Sequence, residues 1–166
     1  MKKFELTGEF ITNIFGKKSF RIRALVAFGD VEAGELGGYV EKEENLSDDG
    51  NAWVSGDAWV SGNAWVSGNA WVSGDALVSG NARVSCNALV SGNADILQIT
   101  GLGTVHRTTT VFRTPDGIRI ACGCFYGDLD AFWAQVKNTR YGKVRREYLK
   151  FAELVEIYFG EDEEDE

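Results

Sequence analysis

The chain holds one histidine, His106, and three cysteines, and nowhere does it run near the ~18 consecutive apolar residues that a membrane-spanning helix needs. Its opening, MKKFELTGEF, has two lysines but no following apolar stretch of secretory length. A cytoplasmic protein with no membrane partner is therefore expected. An odd number of cysteines, two of them one residue apart, is not a disulfide framework, so reduced thiols are expected. Also missing are a phosphate-binding glycine loop, a nucleophile elbow and a paired-carboxylate motif. Cys122-Gly123-Cys124 with His106 would supply three metal ligands, where structural zinc asks for four and a C-x₂₋₄-C spacing. The cysteines read instead as small hydrophobes. No catalytic residue, no metal and no cofactor is expected, and the protein is not expected to be an enzyme.

Charge is also scarce where it would matter most for nucleic acid. Most of the net charge of −8 comes from the six terminal acids Glu161–Glu166. A DNA mimic needs regularly spaced carboxylates on a rigid element. Between Gly50 and Leu97 the only charged residues are Asp57, Asp75, Arg83 and Asp95, so DNA binding and DNA mimicry are not expected.

What is abundant is repetition. From Gly50 to Leu97 the chain reads GNAWVS, GDAWVS, GNAWVS, GNAWVS, GDALVS, GNARVS, CNALVS, GNADIL. In each hexad Ala and an aliphatic residue flank one variable position. Alternation of period two places the flanking pair on one face and the variable residue on the other. Ala and Val tolerate stacking and should face inward, whereas Trp, Leu, Arg and Asp should face out. Gly followed by Asn or Asp supplies the corner, a place that Cys86 takes once.

These hexads resemble the left-handed parallel β-helix built from hexapeptides, in which three hexads make one triangular coil. The segments RIRALVAFGDVEAGELGGYVEKEENLS before the repeats and TTTVFRTPDGIRIACGCF after them extend the likeness to the YdcK-type solenoid proteins of bacteria and bacteriophages. That resemblance implies an architecture and brings no activity with it. Sorted by a coil of three hexads, Trp53, Trp71 and Leu89 share one face, Trp59, Leu77 and Asp95 a second, and Trp65 and Arg83 a third. Val40 and Leu46 suggest degenerate strands before the repeats, and Thr100 and Leu102 the start of a ninth hexad.

The flanks carry their own signals. Phe20 and Ile22, leading to Leu25 and Val26, read as a strand with Arg21 and Arg23 on its exposed side. Thr114-Pro115-Asp116-Gly117 fits a tight turn between strands Thr108–Arg113 and Gly117–Cys122. Asp128 can cap a helix from Leu129, and apolar residues at helical spacing predict a second helix over Lys143–Phe159. The predicted fold is mainly β: a left-handed parallel β-helix with an N-terminal cap (1–49), hexapeptide repeats (50–103), a C-terminal α+β module of a hairpin plus two helices (104–160) and an acidic tail (161–166).

Four outward tryptophans on so small an object call for a cover. The candidate binding and oligomer surface is Trp53, Trp59, Trp65, Trp71 and Arg83, and Arg145, Arg146 and Lys150 form a candidate anion patch. The functional expectation is a non-enzymatic homo-oligomer, a trimer through a Trp-bearing face. It is expected to be encoded by a phage and to act in the bacterial host cytoplasm. There it would antagonise a host defence or regulatory system, binding a host protein or sequestering a small ligand. Two alternatives stay open: a structural protein that polymerises end to end, and a hexapeptide acyltransferase with His106 as base.

Overall fold

The computed structural model describes residues 2–160, and the acidic run Glu161–Glu166 lies outside the described residues. The chain divides into two compact units, Met1–Asn93 and Ala94–Glu166. In unit 1, β1 (Phe4–Thr12), β2 (Lys18–Ala24) and β3 (Leu36–Val40) are followed by seven two-residue strands. These are β4 (Trp53–Val54), β5 (Trp59–Val60), β6 (Trp65–Val66), β7 (Trp71–Val72), β8 (Leu77–Val78), β9 (Arg83–Val84) and β10 (Leu89–Val90). Unit 2 holds β11 (Ile96–Leu102), β12 (Arg107–Thr114), β13 (Gly117–Cys122), β14 (Phe125–Gly127), α1 (Leu129–Thr139) and α2 (Gly142–Phe159).

The two-residue strands follow from the hexad. Four of its six residues go to the corner, leaving the variable residue and the following Val extended. The corner glycines Gly50, Gly56, Gly62, Gly68, Gly74 and Gly80 all have φ between 61° and 71°, the left-handed region that a Cβ disfavours. Parallel pairing joins Trp53 to Trp71 and Trp71 to Leu89, Trp59 to Leu77, and Trp65 to Arg83. The backbone ladder is regular, with Trp53 N–H donating to Ala70 at 2.9 Å and Ser55 N–H to Val72 at 2.8 Å. Ala52 through Ala88 and Val54 through Val90 at six-residue spacing are buried and form the core of this unit.

The expected regular left-handed hexapeptide β-helix is nevertheless corrected. The described residues form four small sheets, two parallel, one antiparallel and one mixed, and the Trp-spaced strands are short and scattered among three of them. The mixed sheet runs β1-β2-β3-β5-β8, its first three strands antiparallel and the rest parallel. The physical reason is that the residues before the hexads add the antiparallel strands β1 and β2 to one row, and those after the hexads form a separate antiparallel sheet instead of extending the repeat. Val40 does pair in parallel with Val60, and Leu46 forms a parallel bridge to Val66. Thr100 and Leu102, expected to begin a ninth hexad, sit in β11 and pair antiparallel with Thr108 and Arg107.

Unit 2 is a four-stranded antiparallel meander, β11-β12-β13-β14, packed with the two helices. Thr114 and Gly117 close the β12–β13 hairpin at the expected turn. Asp128 accepts a hydrogen bond from Ala131 N–H at 2.8 Å, which caps α1 as its residue type predicts. Phe132, Val136, Tyr148, Phe151 and Val155 pack onto Val111 and Ile120. Among the described residues, no helix is long and apolar enough to cross a membrane.

The N-terminal strands bring one buried cation into unit 1. Lys3 donates from Nζ to the Ala52 carbonyl at 2.6 Å, with its ammonium 4.5 Å from the centre of the Phe28 ring. Burial pushes its pKa down to about 8, against the pull of Asp48 and Asp49. Below about pH 8 the lysine is protonated in both folded and unfolded chains. Between about 8 and its ordinary 10.5, the unfolded chain holds a proton that the folded chain lacks, so this group makes stability rise with pH. The difference in denaturant midpoint between the natural chain and Lys3→Met should accordingly move in favour of the natural chain from pH 8 to pH 10.5. It should be flat from pH 6 to 7.5.

Candidate functional site

The variable hexad positions were expected to form an exposed surface, and the structure divides them. Trp53 is 0% exposed, which corrects its place in the candidate surface. Phe28 packs edge-on against its ring at 5.3 Å, and β3 crosses so closely that a Cβ on Gly37 would come within 2.7 Å of Trp53 Cζ2. The alternation rule could not show that the segment before the repeats lies over this side chain. Trp59 is half-buried, its indole N–H donating to the Ser19 hydroxyl. Trp71 is half-buried too and lines a shallow cavity with Asp30, Asn51, Asn69 and Leu89.

Exposure appears late in the rows of Trp53 and Trp59 and from the first strand in the row of Trp65. Trp65 is 42% exposed, Leu77 53% and Leu89 47%. Arg83, also exposed, holds its guanidinium 5.9 Å from the centre of the Trp65 ring, on the next strand of the same row. An aromatic with a guanidinium beside it is a compact docking element, because the cation–π contact orients the arginine against the ring. Leu77 and Leu89 were absent from the candidate surface. Their signal was legible: each stands three hexads after a tryptophan and in register with it.

Arg21, expected on an exposed strand face, is half-buried. It donates to the Gly37 carbonyl at 2.9 Å and the Tyr39 hydroxyl at 2.7 Å, and pairs with Glu9 at 3.2 Å. Burial works against its charge, but Tyr39 and Glu9 outweigh that and hold its pKa above the ordinary value. Arg21 therefore belongs to the scaffold that joins β2 to β3. Arg23 pairs with Glu5 at the surface at 3.3 Å.

The candidate anion patch on α2 is not assembled into one site. Arg145 is half-buried, whereas Arg146 and Lys150 are exposed and one helical turn apart. Lys150 is engaged by Glu153 at 3.1 Å, a solvent-exposed pair of little energetic weight that still places a carboxylate in the patch. His106 stands on the exposed turn between β11 and β12 with φ 50°, its Nδ1 3.0 Å from the Gly101 carbonyl oxygen. Cys122 is buried, Cys124 is exposed, and Cys86 sits exposed at its corner with φ 55°. Among the described residues, no three His, Cys, Asp or Glu side chains converge as a metal site.

Compared with known protein-family models and with curated protein sequences, the chain matches none.

Proposed function

We propose that this is a non-enzymatic binding protein that works as a homo-oligomer, a trimer through the surface bearing Trp65 and Arg83. The observation that carries this reading is the contrast among the variable positions: Trp53 is covered by the chain's own N-terminal segment, whereas Trp65, Leu77 and Leu89 remain 42–53% exposed. Apolar side chains of this size repeat outward at little cost only where something else covers them. The inward Ala and Val are constant and build the scaffold, so the residues free to specify a partner are the outer ones. In this reading the protein is encoded by a phage and acts in the host cytoplasm. It antagonises a defence or regulatory system by binding a host protein or by sequestering a small ligand.

Sedimentation equilibrium tests the oligomer first. The natural chain should run at about three times its 18.2 kDa chain mass. Trp65→Ala should weaken association by roughly 30-fold or more, the effect of removing a central aromatic anchor. The far-ultraviolet circular dichroism should be unchanged, because Trp65 is not part of the core. A monomeric natural chain, or a Trp65→Ala variant that associates equally well, would overturn this reading.

A further inference from the structure

Unit 2 contains a second constellation, well away in sequence from the tryptophans of the hexads. A cavity of about 110 Å³ lies between β12, β13 and the helices, lined among others by Arg107, Arg140, Gln135, Tyr148, Cys122 and Cys124. Its lining has two guanidiniums and no carboxylate. Neither arginine forms an ion pair with any described carboxylate.

Both cations are placed by backbone features. Arg107 opens β12 and reaches across to the Cys122-Gly123-Cys124 turn, where its guanidinium occupies the space that a Cβ on Gly123 would need. Gly123 has φ 58°, so the position is suited to glycine twice over: by backbone conformation and by the room that Arg107 takes. Arg140 is the C-cap of α1, at the end of the helix where partial negative charge favours a cation, and its guanidinium lies 5.8 Å from the centre of the Tyr148 ring.

The polar groups at the floor are already satisfied. The Thr109 hydroxyl donates to Cys122 Sγ at 3.2 Å, the Cys122 thiol to the Tyr148 hydroxyl at 3.8 Å, and that hydroxyl to the Leu102 carbonyl at 3.4 Å. Burial and then Cys122 push the Tyr148 phenol up to about 12, while Arg140 and Arg107 pull against that rise. Both positive charges are therefore felt in the same cavity. What stays unmatched is the cations themselves, and two guanidiniums with no carboxylate partner are suited to bidentate hydrogen bonds to an oxyanion. One oxyanion group held between the two guanidiniums is the ligand that this lining matches.

We propose that the cleft between Arg107 and Arg140 binds a single small oxyanion, either free phosphate or the phosphate group of a small ester, with Cys124 at its rim. The inference does not rest on the oligomeric reading above, and a monomeric chain would leave it intact.

The test uses the full-length chain, with inorganic phosphate and phenyl phosphate titrated separately at constant ionic strength against chloride. Amide shifts of Cys124 and Phe125 in ¹H–¹⁵N spectra should saturate at or below roughly 10 mM ligand, weak but specific binding. Tighter binding of phenyl phosphate would identify an ester as the better ligand, and equal binding would identify the free ion. Arg107→Gln and Arg140→Gln should each weaken the affinity roughly tenfold or more while leaving the remaining spectrum in place. In the natural chain, bound phosphate should slow alkylation of Cys124 by iodoacetamide without changing the rate at Cys86, which is exposed in unit 1. The proposal is overturned if no saturable shift appears for either ligand, or if both cysteines respond alike. Undiminished binding in both arginine variants would overturn it as well.

Discussion

Trp53→Ala should be among the most damaging single substitutions in this chain, lowering stability by roughly 3–5 kcal/mol. The indole is completely buried, with Phe28 against one edge and Gly37 of β3 pressed close enough that no side chain fits between them. Truncation opens a cavity that neither neighbour can fill, because β3 is held in place by its hydrogen bonds to β2 and β5. Thermal unfolding should show a fall in midpoint of roughly 10 °C or more. Trp53→Phe is the informative companion. The indole Nε1 is buried without a hydrogen-bond partner, so phenylalanine loses volume but also removes an unsatisfied donor. The cost of Phe should therefore fall well below half that of Ala. Had Trp53 been an outward docking residue, Ala would have changed association and left the stability within about 1 kcal/mol of the natural value.

The second large effect is expected at a corner. Gly74→Ala should cost roughly 3 kcal/mol or more, whereas Gly56→Ala, at an equivalent position of the repeat, should cost roughly 1–2. Both glycines have φ near +60°, so both substitutions carry the penalty of a left-handed residue. They differ in what lies beside them. A Cβ on Gly56 would meet Gly74 N at 3.4 Å, an ordinary contact, whereas a Cβ on Gly74 would overlap the Ser91 carbonyl oxygen. That oxygen cannot yield as a flexible side chain would, since it belongs to the backbone next to the closing turn Asn93–Asp95. Urea denaturation of the two variants side by side measures the difference. Equal losses would show that the corner costs only its dihedral angle and that the packing contact is relieved without strain.

The contrast between these two glycines shows how far the repeat could be read from residues alone. The hexad says that positions 56 and 74 are the same, and for φ they are. What differs is the next level of packing, which is Gly74 in one case and the departing chain at Ser91 in the other. Arg21 gives a similar lesson in the N-terminal segment. Its alternation with Phe20 and Ile22 correctly put it on the opposite side of β2, yet that side meets Glu9, Gly37 and Tyr39 and so is not open to solvent.

Local chemistry was enough for everything that depends on near neighbours in the chain. Inward Ala and Val, glycine corners, the Thr114–Gly117 hairpin and the Asp128 cap follow from steric limits, period-two alternation and hydrogen-bonding capacity within a few residues. Packing alone decided the rest. It replaced a regular left-handed β-helix with several small sheets, because β1 and β2 pair onto one short row and the strands after the repeats form a sheet of their own. It buried Trp53 and left Trp65 outside, because the cover comes from β3 and the segment before it. And it brought Arg107 to the Cys122–Cys124 turn and Arg140 to Tyr148, contacts between different elements of unit 2 that no periodicity encodes.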